Sequence, residues 1–450
     1  MELKPETRAK FAEHSLRERR RWEEKKKGFS VHQNFAKREV KAMKKTSWVL
    51  GGIFLLTLMV SGVASAKPIF GILLPLSGPF SAMGSDMKNG TLIAIDDVNA
   101  KGGVLGKPVE YILGDDELKS EVAIRKYKEM VDGEGIKVIG GGLSGATSVA
   151  VNEWACKNKV LYMAFCYSSM PLGKEYCGYG FVAGMIPYQS GVATARYSFK
   201  NLGKSWMMIT QDYRFGHDQL QAWLVSSEKL GGKFLGNIYS PMGQTDYSAI
   251  LPRIVATNPD ILVLNVYGQS LDSIIKQLGE AGLTDKKMKF VIPKSHENTI
   301  KGAGSFYTQN FYGGHNYYWT AQEKYPGAKK FNDEYRKRFG GPPSMDSDNG
   351  YTGTHAVLDA MNKAKTTTDV DKLIKTLKGF KYQYNKAPEQ FRACDGIRMT
   401  SVVIVRGIGA KAKGWDLGEI VAEYPVEETL ESCENNAKDI PFGQVKLPGK

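Results

Sequence analysis

The sequence predicts an α/β protein of two similar lobes, each a mostly parallel sheet flanked by helices. Three observations carry that expectation. From Ile69 onward, short apolar runs alternate with helical patterns, as βαβ units do. The alternation occurs twice, as two successive blocks of four strand and helix units, which points to two lobes and not one long sheet. The chain has 450 residues, 42% hydrophobic and 24% charged, enough for two or three globular domains and unlike a disordered chain.

The first block opens with a strand over Ile69 to Pro75, followed by the glycine- and proline-punctuated turn LSGPFSAMG. A helix from Ser85 to Ala100 puts Met87, Ala94, Ile95 and Val98 on one face, and Gly102-Gly103 stops it. Strands over Val109 to Gly114, Ile136 to Gly140 and Leu161 to Phe165 alternate with helices over Glu117 to Val131 and Thr147 to Lys157. The second block has strands over Trp206 to Thr210, Phe234 to Tyr239, Ile261 to Val266 and Lys289 to Ile292. Helices over Gly216 to Leu230, Tyr247 to Thr257 and Gln269 to Ala281 connect them. Gly313 to Thr320 reads as a crossing between lobes. Helices over Lys329 to Phe339, Asn349 to Ala364 and Asp369 to Leu377 follow, then strands over Arg398 to Arg406 and Leu417 to Tyr424.

Charge is unevenly spread. Residues 1 to 45 hold 15 Lys/Arg against 7 Asp/Glu, a net of +8 out of +14, which leaves +6 for residues 67 to 450. Lys44 and Lys45 precede an uncharged apolar run from Trp48 to Val63, then Ala64-Ser65-Ala66. These are the n-region, h-region and cleavage site of a secretory signal peptide, and the run is short for a membrane span. The expected arrangement is a basic leader over residues 1 to 42, read as a start-site artefact upstream of Met43. A signal peptide over 43 to 66 is cleaved after Ala66, and the mature chain is periplasmic. The competing reading keeps the run as an uncleaved anchor.

All five cysteines lie beyond that site, in a compartment that permits disulfides. Cys394 with Cys433 is one expected pair, and either Cys156 or Cys166 with Cys177 is another; spacing does not choose between them.

The chemistry-bearing motifs are few. Residues 140 to 145, GGGLSG, satisfy G-x-G-x-x-G between a strand and a helix. A dinucleotide site also needs an acid at the end of the next strand, and that strand runs into Phe165-Cys166-Tyr167-Ser168-Ser169. No cofactor is therefore expected. The same residues suit a carboxylate: Ser144, Gly145 and Thr147 place backbone N–H groups and hydroxyls at a helix N-terminus, and Ser168 and Ser169 could add donors. The plainer reading is that they cap a helix. There is no P-loop, H-E-x-x-H, C-x-x-C or G-x-S-x-G, so no catalytic or metal-binding residues are assigned and no enzymatic activity is expected. His217, His296, His315 and His355 are scattered and read as structural or surface histidines. Paired lysines such as Lys329-Lys330 read as solvated faces, so no nucleic-acid partner is expected.

The run PLSGPFSAMGSDMKNGTLIAIDDVNAKGGVLGKPVEYILGDDE, with GGGLSGATS and TDYSAILPRIVATNPDIL, resembles the periplasmic solute-binding proteins of the branched-chain amino acid (Leu/Ile/Val) type, which feed ABC transporters. The resemblance spans residues 67 to 430. It implies the type I periplasmic binding protein fold: two Rossmann-like lobes joined by three crossing segments, near Met185 to Gln189, Gly313 to Tyr317 and Arg392 to Arg398. One lobe would hold residues 67 to 186 and 316 to 394, the other 187 to 314 and 396 to 430, with a tail over 431 to 450. The implied partners are a small carboxylate-bearing solute in the inter-lobe cleft and a membrane permease, with the protein itself a monomer. By the same resemblance Ser144 donates to the ligand carboxylate, and Tyr167 and Ser169 hold its polar head. Phe215 closes over it from the second lobe, Tyr267 ends a second-lobe strand, and Met83 sits on the cleft rim.

One departure bears on the ligand. Where amino-acid binders of this type carry an acid to meet the ammonium, this chain has Val291-Ile292-Pro293-Lys294-Ser295-His296. Lys294 repels an ammonium, which favours an organic acid, aromatic or doubly anionic, over a plain α-amino acid. The rivals from other classes are a secreted or anchored Rossmann-like enzyme and a sensor ectodomain.

Overall fold

The structure, a computed structural model, describes residues 67–166, 177–284, 287–430 and 432–433. The leader, the signal peptide, Tyr167, Ser168, Ser169 and all of the tail but residues 432 and 433 lie outside the described residues.

Two main sheets organise the chain. The first has five parallel strands in the order β2-β1-β3-β4-β5: β1 Phe70–Leu74, β2 Tyr111–Asp115, β3 Val138–Gly141, β4 Leu161–Ala164 and β5 Gly180–Val182. β1, β3 and β4 are buried on both faces, which is why they read as continuous apolar runs. The connecting helices are α1 Ser81–Ala100, α2 Ser120–Glu134 and α3 Gly145–Asn158.

The second sheet has seven strands. β6 Ser205–Gln211, β7 Lys233–Ser240, β8 Ile261–Asn265, β9 Lys289–Ile292 and β10 Phe311–His315 run parallel, and β14 Val402–Gly407 and β15 Gly418–Tyr424 add an antiparallel edge. Its helices include α4 Pro187–Asn201, α5 Arg214–Leu230, α6 Leu251–Thr257, α7 Gln269–Glu280 and the short α8 Glu297–Ala303. After β10 the chain returns to the first lobe as α9 Pro326–Phe339, α10 Met345–Ala364 and α11 Val370–Leu377. A small three-stranded sheet follows: β11 Lys381–Tyr382, β12 Glu389–Phe391 and β13 Arg398–Met399.

Three differences from the sequence reading have physical causes. α1 starts at Ser81, four residues before the expected Ser85. Gly84 lies within it because a Cβ there would stand 2.0 Å from the Pro75 carbonyl oxygen, so the helix begins hard against the end of β1. α4 escaped notice because small and polar side chains, Ser190, Gly191, Ala193, Thr194 and Ala195, fill its buried face. That face packs closely on α5, where a Cβ on Gly191 would meet the Ala222 Cβ at 2.6 Å. The strands of the small sheet are two or three residues long, too short for any periodicity.

The passages between lobes are tied by buried charge. The Arg398 side chain, fully buried, donates to the Ala183 carbonyl at 3.1 Å, to Asp348 Oδ2 at 2.7 Å and to Glu389 Oε2 at 2.8 Å. Lys386 Nζ donates to Thr400 Oγ1 at 2.7 Å and to the Asn316 carbonyl. Lys386 also pairs with Glu389 at 3.0 Å, so Ala183, Asn316 and Thr400, which lie in or beside the three expected crossings, meet one ionic network. The disulfides are Cys156–Cys177 and Cys394–Cys433, which settles the open choice in favour of Cys156.

Candidate functional site

A small cavity of about 20 Å³, partly open to solvent, lies where the strand ends of the two sheets face each other. From the first lobe it is lined by Phe80, Met83, Leu118, Leu143, Ser144 and Cys166. From the second come Tyr213, Phe215, Met242, Tyr267, Lys294 and His296.

Each side chain arrives by a local route. The turn after β1, with Gly78 at φ 75°, delivers Phe80 and Met83 at the entrance to α1. Gly141 and Gly142, at φ 120° and 80°, turn the chain out of β3. A Cβ on the first would fall 2.0 Å from the Leu73 carbonyl oxygen, and one on the second 2.5 Å from the Tyr162 hydroxyl. Close packing therefore accounts for Gly140, Gly141 and Gly142 of GGGLSG. The turn ends at Ser144, the N-cap of α3, whose side chain makes no capping hydrogen bond and which lines the cavity instead. Gly145 and Thr147, in the first turn of α3, are buried and do not line the cavity.

On the second lobe, Phe215 packs edge-on against Tyr267, with ring centroids 5.4 Å apart, and parallel to Tyr213 at 6.1 Å. The Tyr267 hydroxyl lies 2.9 Å from Asn265 Oδ1 and also donates to Gln219 Oε1, so the cavity is offered the ring and not the hydroxyl. Phe215 and Tyr267 join the same apolar cluster as Phe80, Leu143 and Cys166, so the two lobes already touch across the cleft.

The polar end of the cavity is built on Asp346, in the first turn of α10 and fully buried. Lys294 Nζ lies 3.2 Å from its Oδ1, and His296 Nδ1 lies 2.9 Å from its Oδ2. Lys294 also donates to Cys166 Sγ at 3.8 Å and stands 5.7 Å from the centre of the Phe215 ring. Burial would raise the Asp346 carboxyl, but Lys294 and His296 outweigh it and hold it down at about 2. For Lys294, desolvation is outweighed by Asp346, and its ammonium is favoured. No carboxylate lines the cavity among the described residues, and no group of three or more His, Cys, Asp or Glu could hold a metal ion.

Of the sequence candidates, the fold brings together Met83, Ser144, Phe215, Tyr267 and Lys294. His296, expected to be a structural or surface histidine, lines the cavity, which corrects that reading. Phe80, Cys166, Tyr213 and Met242 also escaped the sequence analysis, as did Asp346 behind them. The Asp346 pairing joins residues 52 apart in sequence, beyond any local signal.

Two α/β lobes meeting over a cleft, with the ends of parallel strands lining it, define a solute-binding protein of the periplasmic class. The chain belongs to the periplasmic binding protein family, whose profile matches residues 69–413, and membership implies a periplasmic location. It is 27% identical over 224 residues to the Leu/Ile/Val-binding protein BraC3 of Rhizobium johnstonii, an alignment covering 49% of this chain and 60% of BraC3. An amino acid ABC transporter substrate-binding protein from Pseudomonas fluorescens Pf-5 superposes with a TM-score of 0.74 at 23% identity, over 81% of this chain and 98% of that one. A solute-binding protein of an ABC transporter from Rhodopseudomonas palustris BisB5, solved with 3,4-dihydroxybenzoic acid, superposes with a TM-score of 0.71 at 23% identity, over 79% and 97%.

Proposed function

We propose that the protein serves an ABC importer by closing on a small carboxylate-bearing solute, an organic acid with an aromatic or other flat apolar body, and presenting the closed form to a membrane permease. The lobes are taken as residues 67 to 186 with 316 to 394, and 187 to 314 with 396 to 430, acting as a monomer released from its signal peptide after Ala66. Contacts to both lobes stabilise the closed state over the open one, a hinge transition that needs no covalent step.

The observation that carries the reading is the character of the cleft wall. An α-amino acid brings an ammonium that wants a carboxylate partner; the described lining offers none and presents the Lys294 ammonium in its place. A ligand carboxylate would meet the Ser144 hydroxyl at the positive end of α3, and a flat body would lie against Phe80, Tyr213, Phe215 and Tyr267. The aromatic acid held by the Rhodopseudomonas palustris protein supports the same ligand class. Titration calorimetry of the mature protein with leucine, benzoate and an aliphatic acid tests it. Micromolar binding of an acid, about 8 kcal/mol, with no heat from leucine is expected. Tight leucine binding would sink the proposal.

A further inference from the structure

The lobes touch along a row of contacts that runs outward from the cavity, and the segment from Gly341 to Asp346, between α9 and α10 of the first lobe, supplies one side of it. Innermost, Asp346 pairs with Lys294 at 3.2 Å. Next, Ser344 Oγ and Asn298 Nδ2 both donate to Asp86 Oδ2, at 2.8 and 3.1 Å, which ties the exposed Asn298 of α8 to the start of α1. Outermost lies Gly341, buried against an indole from the other lobe. A Cβ on Gly341 would stand 2.8 Å from Trp415 Cζ2 and 3.0 Å from its Cε2, inside the roughly 3.5 Å at which carbon atoms pack.

Trp415 is held out for this contact. It sits in the connection between β14 and β15, in a tight turn closed by backbone hydrogen bonds of 3.0 and 2.9 Å between Lys413 and Asp416, with Gly414 at φ 60°. Lys301 of α8 puts its ammonium 3.7 Å from the centre of the ring, so a cation–π contact fixes the indole on its own lobe while its six-membered ring meets the first. Neither Trp415 nor Gly341 lines the cavity.

We propose that Trp415 is a clasp for the closed state: seated on Gly341, it holds the cleft shut from outside the cavity and sets how slowly a bound solute leaves. The cavity is small, so a solute enters and leaves only when the lobes part, and a contact made only between closed lobes acts on departure and not on arrival. Losing the contact lowers the closed fraction and weakens apparent affinity by that factor, without touching the ligand. The proposal rests on the hinge closure described above and not on which solute is bound.

Calorimetry and stopped-flow kinetics on wild type, Gly341→Ala, Trp415→Ala and the double variant, with leucine, benzoate and 3,4-dihydroxybenzoate as probes, test it. Each single variant is expected to weaken whichever probe binds by about fivefold, through faster dissociation at an unchanged association rate. The double variant should bind no worse than Trp415→Ala, because the added methyl group then has no ring to displace; a glycine needed only for its own lobe would cost the same with or without the indole. Losses that multiply in the double variant, an affinity unchanged in Trp415→Ala, or a loss carried by slower association would overturn the clasp. Binding of leucine alone would sink the organic-acid reading and leave the clasp to the same comparison. Should none of the three bind, melting curves of the four proteins decide: a lower melting temperature from Gly341→Ala only where Trp415 is present supports the contact, and an equal lowering in both backgrounds refutes it.

Discussion

Lys294 Nζ and Asp346 Oδ1 stand 3.2 Å apart across the cleft, one carried by the loop after β9 in the second lobe, the other by the first turn of α10 in the first. Both are buried, so the pair is a latch between lobes as well as part of the cavity wall. Removing one partner strands a charge in a desolvated site. Lys294→Met is expected to lower stability by about 3–5 kcal/mol and to abolish acid binding. The double variant Lys294→Met/Asp346→Leu should regain most of the stability, since apolar replacement of a buried pair is often neutral, but none of the binding. Thermal melts with and without an aromatic acid separate the two effects, and a double variant that binds like wild type would contradict the role given to Lys294.

The same carboxylate sets a pH window. Asp346 titrates at about 2 in the folded state, below its ordinary 3.8, because Lys294 and His296 overcome the cost of burial. A depressed folded value contributes stability that is present above pH 4 and lost as pH falls toward 2, on the order of 2 kcal/mol. Asp86 behaves oppositely. Burial pushes it up to about 6 despite hydrogen bonds from Ser344 and Tyr335 at 2.8 Å each. A raised folded value contributes stability fully present below pH 4 and lost as pH rises through 6. Asp86→Asn should therefore flatten the change in melting temperature between pH 4 and 7; an unchanged slope would assign that dependence elsewhere.

Arg398 bears on the hinge. Its guanidinium joins the Ala183 carbonyl, Asp348 and Glu389, and with Lys386 it overcomes burial to hold the Glu389 carboxyl at about 2. Arg398→Met leaves the buried Asp348 without its cation and Glu389 with Lys386 alone, and is expected to cost about 3–5 kcal/mol in urea unfolding. Arg398→Lys cannot span the same acceptors with one ammonium and should recover only part of that. Full recovery by lysine would show that charge alone, and not the planar fork, joins the passages.

Close packing makes the next expectation. Gly90 in α1 and Gly350 in α10 let the two helices touch: a Cβ on Gly90 would lie 1.9 Å from the Ser347 carbonyl oxygen, and one on Gly350 2.1 Å from that of Met87. Alanine has the better helix propensity, by about 1 kcal/mol, and in an exposed helix would stabilise. Here backbone blocks it, so either alanine variant should lower stability by more than that gain, and a raised melting temperature would show that the helices can part freely.

What was legible in the sequence follows from which signals are local. β1, β3, β4, β8 and β9 are buried on both faces and stand out as apolar runs. Ser144 was visible because it sits at a strand-to-helix turn with a glycine motif to place it, whereas Phe215 came from the family resemblance alone. Lys294 was visible only through the family resemblance, as a lysine where amino-acid binders carry an acid. Asp346 was not, since its meaning depends on a partner 52 residues away, nor was His296, whose surroundings come from the opposite lobe. α4 was lost for the converse reason: close helix packing selects small polar residues, which erase the apolar stripe that periodicity needs.

The disulfides allow a last test of how stability is distributed. Cys156–Cys177 closes a separation of 21 residues around the segment that follows β4, and Cys394–Cys433 one of 39 that ties the end of the described chain to the loop between β12 and β13. Loop-closure entropy assigns about 3 kcal/mol to the first and about 4 kcal/mol to the second. The difference in their positions matters more. The first bridge closes a loop of sequence that contains the lining residue Cys166, so Cys156→Ser/Cys177→Ser should weaken acid binding as well as stability. The second lies by the passage between lobes, away from the lining residues, and Cys394→Ser/Cys433→Ser should lower the melting temperature while leaving ligand affinity within about threefold. Calorimetry and melting curves on the two double variants check this, and the reverse pattern would place the binding cleft nearer the hinge than the strand ends.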